Sequence, residues 1–237
     1  MRLMPLAAFA LATACSPGDH APEAEAAAAA PLRAETAAPP ERYTLTIERG
    51  GTTILSERVT RTAERMESEM TAGPSEGRLT YTAELNPDGT VSRLDGRLAE
   101  AGAAAQPAAN ARLSVVLRGD SAFLELAEGD STRRERMGVA PGTIPIPVSE
   151  AVAVLEQYLH RARAMGGPTA EIPVLTLEKG VKTGRATVTF TGADSARVVF
   201  QGEGSTTEIH ARTDAAGRLL GARVSGSGLV IRRTPAP

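Results

Sequence analysis

From Tyr43 onward the chain alternates apolar and polar residues with a period of two. Tyr43, Leu45 and Ile47 alternate with Thr44, Thr46 and Glu48, and Gly50-Gly51 marks a tight turn. Leu55 and Val59 continue on a second segment. Met66, Ser68 and Met70 share one phase of a third, and Leu79, Tyr81, Ala83 and Leu85 one phase of a fourth. Pro87-Asp88-Gly89 turns the chain into a returning segment from Val91 to Leu98. A longer loop over 101–110 leads to Leu113, Val115 and Leu117; Gly119-Asp120 then turns into Ala122 to Leu126. Such segments, joined by glycine-rich turns, predict half-buried antiparallel strands with one dry face. Thr132 to Val139, charged at Arg133, Arg134, Glu135 and Arg136, predicts an edge strand, because charge protects an open edge from pairing.

The period then changes. Pro141 to Pro147 is a rigid connector. Ala151, Val152, Leu155, Tyr158, Leu159, Ala162 and Met165 fall at helical spacing and make one apolar stripe. This predicts a helix over about 149–165, with Ser149 as its cap and Gly166-Gly167 as its stop. Alternation resumes at Ile172 and continues through Ala186, Val188 and Phe190, then Ala196, Val198 and Phe200, then Thr207, Ile209 and Ala211. Two further segments run from Leu219 to Val224 and from Leu229 to Ile231. Asn86 to Val91 and Asp214 to Leu219 echo one another, each placing Asp and Gly before an apolar strand. We read this as shared hairpin chemistry. The expected architecture is mainly β (α+β): a curved antiparallel sheet or half-barrel of roughly a dozen strands, with one amphipathic helix buried on its concave face.

The N-terminus is organised differently. Arg2 precedes the apolar run Leu3 to Ala14, which is shorter than the about 20 residues that a spanning helix needs. A charged start, a short apolar stretch and small residues before a cut site describe a secretory signal over 1–14. The stretch Leu11-Ala12-Thr13-Ala14-Cys15-Ser16 resembles the bacterial lipobox, with Ala12 where that motif usually carries Leu, Val or Ile. The resemblance implies lipidation of Cys15. Cys15 is the chain's single cysteine, so it has no intramolecular disulfide partner. The resemblance also implies, through Ser16, anchoring to the outer membrane facing the periplasm. Residues 15–41 are rich in Ala and Pro and too poor in large apolar groups to fold, which predicts a disordered tether. Residues 42–235 form the expected single β-rich domain.

Composition narrows the chemistry. The 237 residues carry a formal charge of −2, with no basic stripe for nucleic acid. Aromatic residues make up 3 % and Trp is absent, which weighs against stacking platforms. His160 and His210 lack histidine or cysteine neighbours at metal-ligand spacing and are read as rim or exposed side chains. Glu67 and Glu69 share the outward phase of a strand and are read as solvated charges. There is no G-x-S-x-G elbow, P-loop or dinucleotide fingerprint. No catalytic residue, metal or cofactor is expected.

In element order and length, residues 42 to 233 resemble the periplasmic lipoprotein-localisation factors and related exported domains, in which a curved sheet wraps a helix over an apolar cavity. That resemblance and the dry face together point to a hydrophobic ligand, a lipid or acyl chain, held between sheet and helix. The expected wall is Met66, Met70, Tyr81, Leu155, Tyr158, Leu159, Phe190 and Phe200, with methionine suited to an adaptable pocket. The same residues would equally fill a closed core. A structural or interaction module of the cell envelope, with a partner protein and no ligand, is the alternative; an enzyme with a spatially assembled site ranks third.

Overall fold

The alternating segments become strands in a computed structural model, which describes residues 38–72, 77–99, 110–178, 180–202 and 204–235. The proposed signal peptide, Cys15 and all of the tether before residue 38 lie outside these residues. In β1 (Glu41–Arg49) the apolar phase Tyr43, Leu45 and Ile47 is buried, while its neighbours are only half-buried or exposed. The chain then meanders through β2 (Thr52–Arg61), β3 (Arg65–Thr71), β4 (Arg78–Leu85), β5 (Val91–Ala99), β6 (Asn110–Arg118), β7 (Ser121–Glu128) and β8 (Ser131–Gly138). After β9 (Ile144–Ile146) comes the helix α1 (Val154–Ala164), and then β10 (Thr169–Thr176). The chain closes with β11 (Lys182–Phe190), β12 (Ser195–Gly202), β13 (Ser205–Thr213), β14 (Leu219–Val224) and β15 (Leu229–Pro235).

All fifteen strands join one sheet, in the order β8 back to β1, then β15 back to β9. The expected dozen is therefore an undercount. The extra strands include the short β9, hidden in what reads as a proline-rich connector. β9 and β10 are parallel, and α1 is the crossover that such a pair requires. β1 pairs with β15, in register from Tyr43 opposite Pro235 to Arg49 opposite Leu229. The charged β8 is indeed an edge, and β9 is the other; the two edges do not pair with each other.

The sheet rolls until it overlaps itself. Ala170, Ile172 and Val174 of β10 join the main core with α1 and with strands from both halves of the sheet. Leu175, on the opposite face of β10, is fully buried with Val115 of β6 and with Ala122 and Leu124 of β7. Leu94 of β5 lies in the main core and stands directly opposite Val115. One continuous dry face thus turns past the helix and closes over the back of β10. At Leu175 strand β10 is buried on both faces, so the half-barrel is better described as a roll.

The helix is shorter than its apolar stripe suggests. It starts at Val154 rather than near 149, and Ser149 does not cap it. Ser149 instead donates its hydroxyl and its backbone N–H to Glu178. The N-terminal donor at Ala153 is satisfied from the sheet, by Glu57 of β2 at 2.9 Å. The other end is clamped by the two echoing turns. Arg161 donates to the Asp88 carboxylate at 2.8 Å, and Arg163 donates to the Gly217 carbonyl at 2.9 Å. Both arginines lie in the last turn, where cations also complement the helix dipole. Gly89 has φ +79°, and a Cβ there would lie 2.8 Å from the Arg161 backbone nitrogen, so both turn shape and helix contact select glycine.

Candidate functional site

Two polar clusters fix the helix, and an apolar cavity lies beside them. On β2, Leu55, Glu57, Val59 and Arg61 share one phase. Glu57 is therefore carried into the core, where it is fully buried. Its carboxylate accepts from Ser68 at 2.6 Å, from Tyr81 at 2.5 Å and from the Ala153 N–H. Burial raises the Glu57 carboxyl above its ordinary range, while these hydrogen bonds pull in the opposite direction. Tyr81 is pushed up as well, by burial first and then by the Glu57 charge. Sealed from solvent, this group cannot reach a substrate; its work is to hold the entry of α1.

The second cluster centres on Glu156 of α1, which is 4 % exposed. It accepts from Tyr43 at 2.5 Å, from the Leu219 N–H at 2.9 Å and from Arg233 at 2.6 Å. Arg233 also lies 3.5 Å from the centre of the Tyr43 ring, a cation–π contact. Arg61 stands 3.7 Å from Glu156, and the Gln157 amide, with its oxygen assigned to the Arg61 side, accepts from Arg61 Nη2 at 3.1 Å. The carboxylate thus has cations and donors on several sides, which a buried ion pair needs. Both clusters tie α1 to strands distant in sequence.

The cavity has a volume of about 280 Å³ and lies between the first half of α1 and β10 to β13. Its floor is apolar: Val152, Leu155, Tyr158, Val174, Phe200 and Ile209. The inward phase of β11, β12 and β13 supplies large residues near the helix and small or polar ones toward the mouth. Val188 and Ala186 give way to Gly184 and Lys182; Phe200 gives way to Gly202; Ile209 gives way to Thr207 and Ser205. That gradient leaves room at one end of the roll and gives the opening a polar rim. Tyr158 packs edge-to-face on Phe200 with ring centres 5.1 Å apart. Its hydroxyl is buried and has no hydrogen-bond partner among the described residues.

Three of the eight expected wall residues, Leu155, Tyr158 and Phe200, meet in this cavity. The others do not. Met66, Met70, Tyr81 and Leu159 are buried in the filled part of the core, and Phe190 lies under Arg163, 5.1 Å from its guanidinium. Part of the sheet–helix space is thus closed core and part is open. Glu67 and Glu69 face outward beside Arg65, Arg58 and Arg78. His210 is exposed and contacts Glu208 at 2.8 Å, and His160 is exposed at the β4–β5 turn. Among the described residues there is no group of His, Cys, Asp and Glu fit to hold a metal ion.

No family model matches the sequence, and neither does any curated protein. Among solved structures, the chain is similar to a DUF1089 family protein from Pseudomonas aeruginosa. The TM-score is 0.54 at 17 % identity, over 74 % of this chain and 91 % of that one. It is also similar, at a TM-score of 0.45 and 12 % identity, to a β-barrel-like protein of the domain of unknown function DUF1849 from Brucella abortus, over 83 % of this chain and 95 % of that one. The first likeness is one of fold, and it extends to most of the length of that protein.

Proposed function

We propose that the chain is an exported protein, anchored through lipid on Cys15 to the cell envelope, whose β-roll binds a hydrophobic ligand beneath α1. The observation that carries the reading is the cavity: an apolar floor, a polar rim and a volume of about 280 Å³. Ligand sites are concave, mostly apolar and edged by a few polar groups, at about 300–1,000 Å³ for drug-sized molecules. A cavity just under that range, with an apolar floor and a polar rim, supports a binding role over simple packing. Its wall is preformed, because Glu57 and Glu156 fix the helix that makes one side of it. Among the described residues no helix is long and apolar enough to cross a membrane.

The binding arm is tested with Ile209→Trp. Ile209 lines the cavity and is only half-buried, so a larger ring there fills the space. Titration with an apolar fluorescent probe should give saturable binding to the wild type and none to the variant, with circular dichroism unchanged. Equal binding by both would remove the cavity from the reading. For the anchor, Cys15→Ser should move the protein from the membrane fraction to the soluble one, and membrane retention of that variant would overturn it.

A further inference from the structure

The chain has three tyrosines, Tyr43, Tyr81 and Tyr158, and all are buried. Tyr43 donates to Glu156 and Tyr81 to Glu57. The Tyr158 hydroxyl has no such partner among the described residues, and Tyr158 is the tyrosine that lines the cavity. Its ring is 1 % exposed and stands edge-to-face on Phe200, another wall residue. The lining beside them, Leu155, Val174 and Ile209, carries only hydrocarbon side chains and cannot serve the hydroxyl. A buried polar group without a partner is costly, so its presence calls for a reason. Burial also holds the Tyr158 proton well above the ordinary tyrosine range, so the hydroxyl stays protonated and is available as a donor.

We propose that the ligand is a small neutral molecule with a carbonyl oxygen at its buried end, which accepts a hydrogen bond from the Tyr158 hydroxyl while its hydrocarbon part lies against Leu155, Phe200 and Ile209. This deepens, and rests on, the reading of the cavity as a ligand site. An apolar cavity of about 150 Å³ holds benzene. The volume here, about 280 Å³, admits a ring with a short substituent or a chain of similar bulk. The wall around Tyr158 carries no cation, so a carboxylate at that depth would be buried unpaired, at high cost. A pure hydrocarbon would leave the hydroxyl unbonded. A neutral carbonyl satisfies it without bringing in a charge.

The experiment titrates two isosteric probes into the full-length protein by calorimetry: acetophenone, and isopropenylbenzene, in which CH2 replaces the carbonyl oxygen. Tyr158→Phe should weaken acetophenone about fivefold, the size of one net hydrogen bond, and leave isopropenylbenzene unchanged. Ile209→Trp, which fills the cavity, should abolish both. The carbonyl stretch of bound acetophenone, read by infrared difference spectroscopy, should lie at lower wavenumber in the wild type than in Tyr158→Phe. Binding of both probes with neither affinity nor carbonyl stretch altered by Tyr158→Phe would overturn the carbonyl assignment and leave the cavity as a ligand site. An equal loss of both probes in Tyr158→Phe would also overturn it, since the ring's packing and not its hydroxyl would then matter. Silence of the wild type toward both probes would sink the cavity reading, and this proposal with it.

Discussion

The carboxylate of Glu57, on β2, accepts the backbone N–H of Ala153 at 2.9 Å across 96 residues of sequence. A strand residue therefore performs the capping that a helix usually finds in its own preceding residues. Glu57→Ala should leave Ser68, Tyr81 and this N–H unpaired in the core, and lower stability by about 3 kcal/mol in urea denaturation.

The same residue sets a pH dependence. Burial holds the Glu57 carboxyl above the ordinary glutamate range, so the folded protein keeps a proton that the unfolded chain has released. The stability this contributes is complete below the unfolded value of about 4.3. It is lost as pH rises through the folded value, by at most about 1.4 kcal/mol per pH unit. Glu57→Gln has no such proton and should flatten the slope. Urea midpoints between pH 4 and 7 read it, and an unchanged slope in the variant would assign the effect elsewhere.

Removal of one partner from the Glu156–Arg233 pair leaves the other charge buried. Glu156→Ala or Arg233→Ala should each cost about 3–5 kcal/mol. The double variant should lose less than the sum, because the uncompensated charge is gone. A double-mutant cycle on thermal or chemical unfolding measures that coupling; additive losses would mean that the 2.6 Å contact contributes little.

Gly89 and Gly119 separate turn strain from helix contact. Both have positive φ, but only at Gly89 would a Cβ meet other atoms, the closest being His160 Nδ1 at 2.7 Å. Gly119→Ala should cost about 1 kcal/mol and Gly89→Ala about 2–3 kcal/mol, since it must also shift the helix. Equal losses would mean that α1 yields freely at that point.

Tyr158→Phe removes the buried hydroxyl that has no partner among the described residues. Taking away an unsatisfied polar atom should raise stability by roughly 1 kcal/mol, visible as a higher melting temperature. A fall of that size would reveal a partner for the hydroxyl.

Much of the fold is written in the period of two. Tyr43, Leu45 and Ile47, or Ala186 and Val188, announce their buried face directly. Asp88-Gly89 and Asp214 to Gly217 announce their turns, though not that each turn grips an arginine of the same helix. That pairing depends on how far the sheet rolls, which no local pattern encodes. Glu57 and Arg61 share the phase of Leu55 and Val59, so the signal that they point inward is present. It is easily passed over, because a charged residue breaks the hydrophobic count that defines the face. Glu156 sits likewise beside Leu155 on the apolar stripe. The cavity was only partly legible: Leu155, Tyr158 and Phe200 are large and inward. Which large residues face open space depends on Gly184 and Gly202, whose missing side chains leave no hydrophobic signal.

The pairing of β1 with β15 bears on how the chain reaches this structure. Glu41 and Arg233, bonded at 2.5 Å, are 192 positions apart. Contacts so distant in sequence are made late and place a protein among the slower folders. Until the last strand arrives, the outer side of β1 is an unpaired edge able to recruit another chain. The overlap adds a second long-range closure, of β6 and β7 over Leu175. A chain interrupted before β15 should thus be prone to aggregation rather than merely less stable.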